Sequence, residues 1–137
     1  MNYKVFLDDI RFPYWIYDNP DEWIVIRNDI DFKKFVSENK DNISTISWDN
    51  DLGVDKNGNI IPDGYSLLNW LIDNDIYIKN IIVHSDNVIA SEQIFGKATN
   101  WFKYLISENI LKKGELKVLK RPAMYNFTDI YLEEINI

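Results

Sequence analysis

Four apolar runs in this chain end in groups that can do chemistry. Residues 3–7 (Y-K-V-F-L) lead into Asp8-Asp9, and residues 43–48 (I-S-T-I-S-W) lead into Asp49 and Asp51. Residues 78–83 (I-K-N-I-I-V) lead into His84-Ser85-Asp86-Asn87, and residues 116–119 into Lys120-Arg121-Pro122. Along an extended chain, residues two apart point to the same side, so Asp49 and Asp51 aim at one place. Two unit charges about 4 Å apart repel by roughly 4 kcal/mol at an effective dielectric near 20. Converging acids must therefore take up protons or share a cation. Carboxylates offer hard oxygen ligands, and the chain has no cysteine and a single histidine. Mg²⁺ or Mn²⁺ is the expected cofactor rather than Zn²⁺, and such an ion commonly bridges to a substrate phosphate.

The elements that must position these groups follow from pattern. Residues 3–7, 24–27, 43–48, 78–83 and 116–119 read as five strands, rich in β-branched and aromatic residues. Asn28 or Asp29 can cap a helix with Ile30, Phe32, Phe35 and Val36 at helical spacing. Residues 64–74 read as a second helix, with Leu67, Leu68, Leu71 and Ile72 facing inward. Residues 91–109 read as the longest, striped by Ile94, Ala98, Trp101, Phe102, Leu105 and Ile106. Residues 10–22 carry no helical pattern, and Pro13 and Pro20 break the stretch, so a loop replaces the first crossover helix. Residues 55–63 (D-K-N-G-N-I-I-P-D) read as an exposed loop.

Strands alternating with helices predict an α/β fold with a five-stranded, mostly parallel sheet, as one domain over residues 1–137. The tail, residues 124–137, stays open: Thr128 or Asp129 can cap a short helix, or I-Y-L (residues 130–132) can form an edge strand. Ligands of open parallel sheets bind beyond the carboxyl ends of the strands, which would bring all four clusters to one rim. Each piece alone has a plainer reading. A strand-end Asp often closes a turn, Arg11 can pair with Asp8 or Asp9, and His84 can be a hydrogen-bonded core residue. Lys120 and Arg121 can be a solvated strand end.

A net charge of −7 argues against an extended nucleic-acid surface. No apolar run approaches the ~20 residues of a membrane span, and no signal-peptide pattern opens the chain. A cytoplasmic protein is expected, and the abundance of Ile, Asn and Lys suits an AT-rich phage or bacterial genome.

The order of acidic pair, third-strand Asp, fourth-strand Ser and fifth-strand Lys-x-Pro resembles the receiver domains of two-component signalling. A narrower resemblance is to the cyclic-phosphate-processing receiver-like family. It rests on L-D-D-I-R-F-P (residues 7–13), W-D-N-D-L-G (48–53), D-G-Y (63–65) and H-S-D-N (84–87). The resemblance implies a receiver-like, flavodoxin-like fold, an acidic metal pocket and cyclic phosphates as substrates, in RNA repair or phage–host conflict. Asn50 stands where the family pattern has His, and Val88 and Ala90 where it has Pro and Gly.

The expected activity is a metal-dependent phosphoesterase acting on a nucleotide or RNA-end cyclic phosphate. Asp8, Asp9 and Asp49 are the expected metal ligands, with Asp51 a further ligand or the base for an attacking water. His84 is the expected general acid. Ser85, Asn87, Lys120, Arg121 and Arg11 are the expected phosphate-binding residues. Tyr14, Trp15 and Tyr17 are candidates to stack a base, or to pack in the core. The alternatives are a sequestering module without turnover, a phosphoacceptor receiver using Asp49 or Asp51, and an acidic interaction protein.

Overall fold

Alternating side-chain direction along each strand sets the two faces of one six-stranded sheet. In a computed structural model, residues 2–53, 56–60, 62–85, 87–112, 114–115, 117–120 and 133–135 are described. The strands are β1 (Tyr3–Leu7), β2 (Trp23–Ile26), β3 (Ile43–Trp48), β4 (Asn80–Val83), β5 (Lys117–Lys120) and β6 (Glu133–Ile135). Their order across the sheet is β2-β1-β3-β4-β5-β6. The first five run parallel in the 2-1-3-4-5 order of flavodoxin-like folds, with the ligand-binding switch point between β1 and β3. β6 adds an antiparallel edge, pairing Val118 with Ile135.

The five parallel strands are those expected, and this sixth strand adds an antiparallel edge to them. It begins just past the I-Y-L segment, which lies outside the described residues, as do Thr128 and Asp129. As expected, β1 reaches β2 without an α-helix. The crossover consists of two 3-10 turns, Pro13–Trp15 and Pro20–Glu22, each opened by its proline.

The helices are α1 (Asp29–Asn39), α2 (Gly64–Asp73) and α3 (Val88–Ser107). Side-chain oxygens of Asn28, Asp63 and Asn87 cap them by accepting from the N–H groups of Asp31, Ser66 and Ala90. Capping by Asn87 starts α3 three residues earlier than its apolar stripe suggests. Phe32 and Val36 of α1, the three leucines of α2 and the α3 stripe join Val5, Leu7, Ile46, Trp48, Ile81 and Val83 in one core. Ile30 faces solvent instead, one helical step off that stripe.

Phe6, Ser47 and Ile82 have the opposite parity and point to the other face of the sheet. There the crossover loop packs, with Tyr17 edge-on to Phe6 and stacked on Trp23 at 4.4 Å. No helix among the described residues is long and apolar enough to cross a membrane.

Candidate functional site

The backbone ladder runs one step past three strand ends, and this places the key side chains. Asp8 N–H donates to Ile26 O, Asp49 N–H to Leu7 O and His84 N–H to Trp48 O, at 3.1, 2.9 and 2.9 Å. Asp8, Asp49 and His84 therefore keep the parity of Phe6, Ser47 and Ile82, on the face away from the helices. The three meet there. His84 Nε2 lies 2.9 Å from Asp8 Oδ2, and its Nδ1 lies 2.6 Å from Ser47 Oγ. Its ring stacks on Phe6 at 4.5 Å with 6° between planes. Tyr17 Oη, 2.7 Å from Ser47 Oγ, extends the chain of hydrogen bonds to the crossover loop.

His84 has no exposed surface, so the expected general acid lies beneath Asp8 rather than facing a substrate. Its ring orients the carboxylate above it. Arg11, an expected phosphate ligand, lines the cleft and is also paired with the acids. Its Nε donates to Asp8 Oδ2 at 2.8 Å and its Nη2 to Asp49 Oδ1 at 3.3 Å, within a largely buried pair of ion contacts. Arg27, on the residue after β2, donates to Asp8 O at 3.1 Å and to Arg11 O, strapping the acidic turn to the neighbouring strand. Only its place at a strand end hinted at this role.

Oxygens of Asp8, Asp9 and Asp49 lie within 4.8 Å of one another, and Asp8 and Asp49 are buried. Burial alone would raise Asp8. The hydrogen bond from His84 and the N–H groups of Arg11 and Ile10 outweigh it and hold this carboxyl well below the usual range. Asp49 moves the other way. Burial first, and then the charge of Asp8, push it up to about 8 against the pull of Arg11. Burial and the same neighbour raise Asp9.

Three hard oxygen donors fit a Mg²⁺ or Mn²⁺ ion.

An open cleft of about 380 Å³ is bordered by Asp9 and Asp49 of this trio. Asp9, Asp49, Asp51, Ser85 and Asn87 line it, with Ile10, Arg11 and Trp15 from the crossover loop. Ser85 Oγ accepts from Asn87 N–H at 3.2 Å, and Asn87 Oδ1 is committed to capping α3, which leaves the amide NH₂ for a ligand. Tyr17, turned into the packed face, is not at the cleft. Asn50, in place of the family's His, is buried, and its Oδ1 accepts from Tyr65 N–H at 3.2 Å to hold the start of α2. Gly64 is required beside it: a Cβ there would stand 2.0 Å from Asp49 O. Lys120 ends β5, on the strand beside the one that leads into His84. Arg121 lies outside the described residues.

A 2-1-3-4-5 parallel sheet with an acid-floored cleft at its switch point defines a receiver-like α/β domain. The model of the cyclic-phosphate processing receiver domain matches residues 3–100, and the chain belongs to that family. Comparison with curated proteins and with solved structures gave no significant match.

Proposed function

We propose that this protein is a divalent-metal-dependent phosphoesterase that opens a cyclic phosphate. The observation that carries the reading is the convergence of Asp8, Asp9 and Asp49 within 4.8 Å, with Asp9 and Asp49 lining the cleft. The family's link to cyclic-phosphate processing supports the substrate class. A cation held by these acids would polarise a phosphoryl oxygen and acidify a bound water. Asp51, exposed at the rim, takes the proton from the attacking water. The water oxygen joins phosphorus, one ring P–O bond breaks, and the proton passes to the departing oxygen. The Ser85 hydroxyl and the Asn87 amide bind phosphate oxygens, together with Arg11, and Lys120 and Arg121 supply further positive charge. His84 and Arg11 hold Asp8 and Asp49 in position. The test is a screen of cyclic mono- and oligonucleotides and cyclic-phosphate RNA ends, with and without Mg²⁺ or Mn²⁺. A metal-dependent linear product, lost in Asp49→Asn, is expected; no product from any substrate overturns the reading.

A second reading, a sequestering module, is favoured by the complete burial of the chain's one imidazole. Tight binding of a cyclic phosphate that is recovered intact after incubation with metal would select it.

A further inference from the structure

The crossover loop exposes an unusual amount of apolar surface for a stretch so firmly anchored. Pro13 and Ile16 are buried, Tyr17 is bonded to Ser47, and Arg27 holds the carbonyls of Asp8 and Arg11. The residues between these anchors face outward. Ile10 is 68% exposed, Phe12 45% and Tyr14 63%. Phe12 and Tyr14 stack on each other at 5.6 Å with 17° between planes, and the Arg27 guanidinium lies 4.6 Å from the Phe12 ring centre. Trp15 touches both rings edge-on or tilted, with its centroid 6.3 Å from each. Ile10 and Trp15 also form one wall of the acid-floored cleft.

A contiguous exposed apolar surface commonly marks a place where a ligand or partner is met. Here the surface is continuous with the cleft, so its occupant is part of whatever the acids hold. The cleft is near the small end of the range for ligand sites, which suits one nucleotide unit. Aromatic faces beside an anion or metal site match a nucleobase attached to the phosphate.

We infer that the wall formed by Ile10 and Trp15 receives the base of a nucleoside cyclic phosphate, so that the protein selects nucleotides over base-free sugar phosphates. The inference rests on the phosphoesterase reading for the phosphate end of the ligand. Loss of the helix that would normally follow β1 then has a functional sense. It puts a preformed aromatic shelf where a helix would have buried its own apolar stripe.

The test is calorimetry on the full chain in Mg²⁺ at low temperature, with the ligand recovered afterwards by chromatography. The probes are adenosine 2′,3′- and 3′,5′-cyclic phosphates, each against the methyl riboside cyclic phosphate that lacks the base. Wild type is expected to prefer a nucleotide over its base-free partner by about tenfold or more, the scale of one stacked base. Trp15→Leu, and independently the exposed substitution Ile10→Ser, are expected to shrink that ratio. Equal affinity for both members of each pair, or a ratio unmoved by both substitutions, overturns the base site while leaving the phosphate site standing. No binding of any probe overturns the phosphoesterase reading, and the base site with it.

Discussion

Arg11 and Asp8, three residues apart, form an ion pair that is almost fully removed from water, with Nε 2.8 Å from Oδ2. The same guanidinium reaches Asp49, 38 positions along the chain, at 3.3 Å. Arg11 is thus the counter-charge that lets two buried acids coexist when no metal is bound. Arg11→Met is expected to destabilise the metal-free protein by about 3 kcal/mol, because the acids lose their partner inside the fold. Added Mn²⁺ should restore more stability in this variant than in wild type. Urea denaturation with EDTA and then with Mn²⁺ measures both; an unchanged EDTA midpoint would show the pair to be inconsequential.

Asp49 gives the metal-free protein a characteristic pH dependence. Its folded value of about 8 lies far above the ordinary 3.8, so between those limits the native state holds a proton that the unfolded chain has released. Stability therefore falls as pH rises from about 5 to 8. Asp8, held low, stabilises fully above its ordinary value and loses this only as pH falls through its folded value, so it adds no slope in that window. Asp49→Asn should flatten the profile. Metal must displace the Asp49 proton, so affinity for Mn²⁺ should rise over the same range. Denaturation and calorimetry at pH 5, 6, 7 and 8 check both statements.

The burial of His84 distinguishes a positioning role from acid catalysis. His84→Phe keeps the stack on Phe6 but removes the bonds to Asp8 and Ser47. Loss of an oriented partner to a ligand carboxylate should weaken Mn²⁺ binding about 10–100-fold. A catalytic acid would instead leave metal affinity intact and lower turnover by about 10²–10⁴. Calorimetry with Mn²⁺, alongside the rate of cyclic-phosphate opening, separates the two.

Gly64 links helix packing to the acids. Because a Cβ at this position would collide with the carbonyl of Asp49, Gly64→Ala must push α2 away from the end of β3. A loss of about 1–3 kcal/mol is expected from overpacking, together with weaker metal binding as Asp49 shifts. Thermal denaturation and a Mn²⁺ titration report the two effects. Gly96→Ala, in α3 where a Cβ would meet nothing within 4 Å, controls for the loss of a helical glycine.

What the linear chain settled by itself was local. β-branched runs specified β1, β3 and the parallel sheet, caps such as Asn28 marked helix starts, and the acids at strand ends marked the rim. Period-two parity aimed Asp49 and Asp51 at one place, whereas the side that Asp8 and His84 share with Asp49 was set by the register between strands. What tertiary structure decided was depth and partnership. Whether His84 faces solvent or lies under Asp8, 76 positions away, depends on which groups the folded sheet brings within hydrogen-bond reach. Arg11 turned inward because two desolvated carboxylates outcompete water for its charge. Tyr17 went to Ser47 and Trp23 while Tyr14 stayed outside, a division of one aromatic loop that no spacing rule contains. Such choices are made through space, by competition between solvent and distant neighbours, and they become readable only once the strands stand side by side.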